Sequence, residues 1–291
     1  MLNEQILEFP MMMPHLGKNS TFNVNWRMTA DPDIHDNVLD LSLLFDIGPD
    51  TSRCLEDDFT HDYYFLDQYE DKYLQFILSD RVPNCMLAAM ERQDWFNLNL
   101  NSQILRDYFG TGSIRLNAEF FQDAYPAIRE RYGRYQELEM ELDFKNPRFQ
   151  FGMTEGSNVA FSTTVAVGYK VLGSRNYLVY DEMDFYTEFD FSIDQETLFG
   201  SIKEMRWTKA GEDPNRQKPV WDDMDLSVAE YKQFWTWLEE SSDKFYQVMN
   251  NMVLEQGIQL PYWNLSYLTK FTFHRHAMIA VVDLYYNSSE K

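Results

Sequence analysis

Chemistry in this chain has to come from a few residue types, and they are scarce or poorly spaced. His61 stands among Asp57, Asp58 and Asp62 in the run CLEDDFTHDYY, which invites a metal reading. A zinc-type site needs converging ligands, usually with more than one His or Cys at ligand spacing. No His partner sits at that spacing, so a solvated acidic loop over residues 49–70 is expected. His274 and His276 flank a turn without an acidic partner nearby, and no metal is expected there. The two cysteines, Cys54 and Cys85, form no CxxC and cannot complete a zinc site alone; one disulfide or two buried thiols would satisfy them. Gly-x-Ser-x-Gly, His-Glu-x-x-His and Gly-rich phosphate loops are all missing from the sequence. Acids are abundant, but along the strands they alternate with apolar residues, as on a wet face. The expectation is no catalytic residues, no metal and no enzyme.

Charge narrows the partners. Asp and Glu number 47 against 25 Lys and Arg, for a net charge of −22. The long-range field of such a chain repels nucleic acid and anionic membrane. Aromatic residues make up 16%, which argues for a packed core rather than disorder. No run of 18 apolar residues occurs, so no transmembrane segment is expected. The opening MLNEQILEFPMMMP lacks a basic region and does not read as a secretory signal. Three glycosylation acceptor triplets, at Asn19, Asn264 and Asn287, hint the other way. The compartment stays undefined.

The elements that must position anything functional are clearer. Ser227 and Glu230 form a capping box. Tyr231, Phe234, Trp235, Leu238, Phe245, Val248, Met249, Met252 and Val253 follow at helical spacing. Gly257 and Pro261 end the pattern, so a helix of about 30 residues and roughly 45 Å is expected over 227–256. Residues 21–28 and 38–47 alternate as strands, 72–78 is a strand, and a helix is expected over 81–92. A loop is expected over 101–113, and a second helix over 118–132 with a break at Pro126. From Glu137 to Trp207 the period is two, and each strand has one wet face. A polar loop spans 208–226, and a hairpin over 263–286 closes the chain. Such a long apolar stripe needs a trough, which a bent antiparallel sheet supplies.

Several stretches then resemble one family. They are Lys72-Tyr73-Leu74-Gln75-Phe76-Ile77-Leu78-Ser79-Asp80 running into a helix, Ile114-Arg115-Leu116-Asn117-Ala118-Glu119-Phe120-Phe121 before the helix with Pro126, Gly257-Ile258-Gln259-Leu260-Pro261 at a helix end, and the terminal Asp283-Leu284-Tyr285-Tyr286. In this order they are similar to the C-terminal domain of bactericidal/permeability-increasing protein, lipopolysaccharide-binding protein and the plasma lipid-transfer proteins. The resemblance covers roughly residues 20–286. It implies an α+β fold, the tubular lipid-binding barrel, in which a strongly curved antiparallel sheet wraps one long and one shorter amphipathic helix. Residues 1–19 would be an irregular arm, 20–70 part of a central sheet with the acidic loop, and 71–291 the barrel domain. The family's N-terminal domain has no counterpart here, nor does its basic membrane-binding tip.

Two functions follow. In the first, lipid acyl chains occupy an apolar slot between the long helix and the sheet, and a phospholipid or fatty acid is the bound group. Its lining would be drawn from Met86, Met90, Phe121, Ile128, Val165, Val167, Phe189, Phe191, Trp235, Phe245, Met249 and Met252. In the second, the same residues fill the core, and the chain is a non-enzymatic structural or interaction subunit of a larger assembly. Strands 21–28 and 38–47 would have open edges, so a protein partner or a second copy is expected to complete that sheet.

Overall fold

A computed structural model of the chain describes residues 5–13, 18–28, 31–35, 38–41, 43–48, 74–109, 115–154, 157–194, 197–211, 216–250, 256–259, 266–274 and 277–284. The acidic loop with Cys54, Asp57, Asp58, His61 and Asp62, together with Met252 and His276, lies outside them.

The first strands are β1 (Gln5–Met13), β2 (Lys18–Met28), β3 (Asp33–His35), β4 (Val38–Asp40) and β5 (Leu43–Gly48). β1, β2 and β5 form a three-stranded antiparallel sheet with β2 in the middle, and β3 pairs with β4. This corrects two expectations. The arm over 1–19 contains a nine-residue strand. Pro10 suggested irregular structure there, but β1 is an edge strand, where a residue without an N–H is tolerated. In turn, β1 and β5 occupy both sides of β2, so the chain itself closes the edges expected to be open at 21–28.

Next come β6 (Leu74–Ser79), helix α1 (Arg81–Arg92), β7 (Asn97–Leu100), helix α2 (Ser102–Phe109) and helix α3 (Pro126–Tyr132). α1 has the expected bounds. α2 replaces the expected loop: Asn101 Oδ1 accepts from the Gln103 and Ile104 amides at 3.0 Å each, so the start of the helix is capped by a side chain. Residues 118–124 are turns, and the second helix is confined to α3 because Pro126 takes its first position. Proline lacks the amide that an earlier start would require.

The main sheet is antiparallel and contains β8 (Leu138–Thr154), β9 (Ser157–Val171), β10 (Tyr177–Asp194), β11 (Thr197–Lys209), β12 (Trp221–Asp222) and β13 (Ile258–Gln259). Its order is β13-β11-β10-β9-β8-β7, with β12 added to β10. Among the described residues the sheet is an open path rather than a closed barrel. The register shifts between Lys145 and Arg148 and between Glu188 and Phe189. Bulges of this kind bend and twist long strands. Asn84 of α1 holds the first shift in place, donating to the Phe149 carbonyl at 2.8 Å and accepting from its amide at 2.7 Å. A further three-stranded sheet, in the order β14-β15-β6, pairs the hairpin of β14 (Ser266–His274) and β15 (Ala277–Leu284) with β6.

Helix α4 (Val228–Met249) lies against the main sheet. Its start is the expected capping box: the Glu230 amide donates to Ser227 Oγ at 3.2 Å, and the Ser227 amide donates to Glu230 Oε2 at 2.7 Å. Bonding to Ser227 lowers the Glu230 pKa. After the helix, Gly257 has φ +76°, and a Cβ there would run into Thr197 and the Phe199 ring. Only glycine lets the chain turn this tightly and add β13 beside β11. The fold is thus α+β, an antiparallel sheet with helices packed on it, as the sequence predicted.

Candidate functional site

Side chains of alternate parity on β8–β11 point toward α4, and the face they make has two unlike halves. Under the first turns of α4 it is filled. Tyr231 and Phe234, each 1% exposed, pack with Phe121, Tyr125, Ile128, Val165, Val167 and Tyr169. Tyr125 stacks on Phe234 with centroids 4.9 Å apart, and Tyr169 meets Tyr125 edge-on at 5.4 Å. Ring pairs of this kind add about 0.5–1.5 kcal/mol beyond their burial.

A charged clamp borders this half. Asp181, 2% exposed, sits at an inward position of β10 between Val179 and Met183. Its carboxylate accepts from Arg216 Nη2 at 2.6 Å, from the Val220 amide at 3.3 Å and from the Tyr231 hydroxyl. Arg216 Nη2 also donates to the Glu182 carbonyl at 3.0 Å. Lys209 donates to the Arg216 carbonyl, and its ammonium lies 5.3 Å from the centre of the Tyr231 ring. One buried acid therefore ties β10, α4 and the segment 216–226 together. Burial pushes its pKa up to about 6, against the pull of Arg216. Tyr125 and Tyr169 are raised as well, chiefly by burial. The Tyr125 hydroxyl and Trp235 Nε1 are buried without a protein hydrogen-bond partner.

Further along α4 the face is apolar but only half-buried. Phe149, Phe161, Phe185 and Trp207 come from β8, β9, β10 and β11 in turn. Successive centroids are 5.1, 6.4 and 4.5 Å apart. They form a strip of rings across four adjacent strands. Phe189 and Phe191, also half-buried, stack at 5.8 Å farther along β10, and Phe151 touches Phe273 of β14 at 5.7 Å. Two polar contacts tie the later part of α4 and the residue that follows it to β11, at one end of this strip. Trp207 Nε1 donates to Ser242 Oγ at 2.7 Å. Asn250 accepts from the Ile202 amide at 2.7 Å and donates to its carbonyl at 3.2 Å. Ser242, a polar residue within the apolar stripe, thus joins α4 to β11.

The twelve expected lining residues divide accordingly. Phe121, Ile128, Val165 and Val167 belong to the filled half, and Trp235 borders it. Phe189 and Phe191 belong to the half-buried part. Met86 is exposed on α1, and Met90 packs with Phe22, Ala89 and Trp95 in a separate cluster. The 3.6-residue period marks one face of α1 without saying which sheet that face meets. Phe245 and Met249 lie on α4 with side chains outside the described residues, as is all of Met252. Phe149, Phe161, Phe185 and Trp207 were not among the twelve. Each was visible as an inward strand position, but the strip exists only once the strand register is known.

The outer face explains the small residues of β9. Glu141, Lys170 and Tyr177 cluster over Gly168: the Tyr177 hydroxyl donates to Glu141 at 3.0 Å, and the Lys170 ammonium lies 4.4 Å from the Tyr177 ring centre. A Cβ on Gly168 would collide with Tyr177. Lys145 and Glu182 pair at 2.7 Å on the same face. These acids are structural members of cross-strand pairs.

Among the described residues no group of three or more His, Cys, Asp or Glu could hold a metal, and no helix is long and apolar enough to cross a membrane. No protein-family profile matches the chain, and no curated protein sequence does. Among solved structures, the crystal structure of lipopolysaccharide binding protein matches with a TM-score of 0.44 and 15% identity, over 91% of this chain and 55% of that one. The likeness is distant and concerns overall architecture alone. The chain spans about 55% of the length of that protein.

Proposed function

We propose that the chain is a lipid-binding module of the tubular lipid-binding kind, and that acyl chains lie along the strip Phe149–Phe161–Phe185–Trp207 beneath the second half of α4. The carrying observation is the contrast between the two halves of one face. The first is packed by its own rings, whereas in the second six aromatic side chains stay only partly buried, two of them, Phe185 and Trp207, at the border with the filled cluster. Concave or sheltered apolar surface with few polar groups is where apolar ligands bind. Strip residues contribute through burial, at about 25 cal/mol per Å² covered. The net charge of −22 disfavours multiply charged anionic headgroups, so a zwitterionic lipid or a singly charged fatty acid is the better fit. In this reading no residue is catalytic and no cofactor is required.

The test is a titration with a fluorescent long-chain fatty acid. Wild-type protein should show saturable uptake. The double variant Phe161→Ala/Phe185→Ala should weaken it by about five- to thirtyfold, the effect of losing one to two kcal/mol of burial. Equal uptake by both proteins, with the fold intact by circular dichroism, would remove the strip from the account.

The filled half favours a second reading, a structural subunit that keeps the fold with a closed core. Under it, neither protein takes up the probe, and the chain is recovered with a protein partner.

A further inference from the structure

We propose that Asn19 carries an N-linked oligosaccharide, added as the chain folds in an oxidising secretory lumen. Asn19-Ser20-Thr21 is an acceptor triplet, and the fold presents it suitably. Side chains along a strand alternate between faces. On β2, Phe22 is 2% exposed and packs on Trp95 with centroids 6.2 Å apart. Lys18 shares that parity and reaches Asp94, 3.3 Å from its carboxylate. Asn19 and Thr21 have the opposite parity, and both are exposed. The two residues that define the triplet thus stand on the solvent side of β2, near its first residue, so among the described residues a glycan on Asn19 displaces no packed group.

A second observation, independent of the triplet, points to the same compartment. Cys85 is 1% exposed and disulfide-bonded. The sequence has one other cysteine, Cys54, which lies outside the described residues. Disulfides persist in secretory and extracellular settings and are rare in the cytosol, and N-linked glycosylation marks secreted proteins. The chemistry is a group transfer. The Asn19 side-chain nitrogen bonds to the anomeric carbon of an oligosaccharide carried on a lipid diphosphate. The sugar–phosphate C–O bond breaks, the amide loses one proton, and the lipid diphosphate leaves. No oxidant is consumed. The proposal does not depend on the lipid slot.

The experiment uses protein isolated from the cells that make it. Trypsin cleaves after Lys18 and Arg27 and releases residues 19–27. The denatured intact chain is treated first with a peptide N-glycosidase in heavy-oxygen water, which converts a glycosylated Asn19 to labelled aspartate, and trypsin follows in ordinary water. The expected result is that this peptide appears only after the glycosidase, labelled at Asn19, and that the label disappears from a Thr21→Ala variant made in the same cells. Recovery of unmodified peptide in full yield without the glycosidase would overturn the proposal, whatever the state of Asn264 and Asn287.

Discussion

Replacing Asp181 with alanine should cost about 3 kcal/mol at pH 7, a large share of a typical domain's stability. The loss comes from what is left behind. Arg216, the Tyr231 hydroxyl and the Val220 amide all lose their shared acceptor, and Arg216 remains a partly buried charge, its side chain 25% exposed. Denaturant unfolding measures the effect, and Asp181→Asn should lose less because the amide oxygen can still accept. The pH dependence has an unusual sign. An acid held by a cation usually has a lowered pKa, but burial raises that of Asp181 from 3.8 to about 6. The folded state therefore holds the proton more tightly than the unfolded chain does. The proton-linked part of the stability Asp181 contributes is fully present below about pH 4 and is lost as pH rises through about 6, whereas its hydrogen bonds to Arg216, Val220 and Tyr231 remain at pH 7. At pH 7 it is ionised and kept in place by Arg216. Relative to Asp181→Asn, wild type should lose up to about 3 kcal/mol between pH 4 and pH 7. A difference that stays flat, or grows with pH, would show that Arg216 outweighs burial.

Phe234→Ala should cost about 3–5 kcal/mol, as expected for emptying a fully buried aromatic position. Phe234 is 1% exposed and contacts the rings of Tyr125, Tyr231, Trp235 and Trp237, so few neighbours can collapse into the space. The same variant separates stability from binding. Phe234 belongs to the filled half of the face, so below its melting transition the variant should take up the fatty acid probe about as well as wild type. Uptake that falls in step with stability would mean that the two halves are not independent.

Much of this arrangement could be read from the sequence, for identifiable reasons. The α4 start is legible because Ser227 and Glu230 cap each other locally, whereas its end is not: α4 runs to Met249, short of the expected 256, and the φ of +76° at Gly257 serves the turn into β13. The long strands were legible because acids and rings alternate from Glu137 onward. β1 was missed because Pro10 was weighed as a breaker, without knowing that its strand lies at an edge. α2 was missed although Asn101 and the apolar Ile104, Leu105 and Phe109 gave a usable signal. Asp181 is hidden because an acid in an alternating strand looks like part of the wet face until the strand's start at Tyr177 is known. With the true start, an acid at inward parity between Val179 and Met183 stands out. The aromatic strip could not be read at all: Phe149, Phe161, Phe185 and Trp207 are 12, 24 and 22 residues apart in sequence, and only cross-strand register aligns them. That register is set by bulges held by distant groups such as Asn84.

The central claim is that the half-buried strip beneath α4 holds an acyl chain. Native mass spectrometry of protein purified without detergent tests it most directly. The account predicts a bound species with the mass of a fatty acid or phospholipid, released by organic solvent and reduced in Phe161→Ala/Phe185→Ala. A spectrum containing only the unliganded chain, from protein that also fails to take up the fluorescent fatty acid, would contradict it.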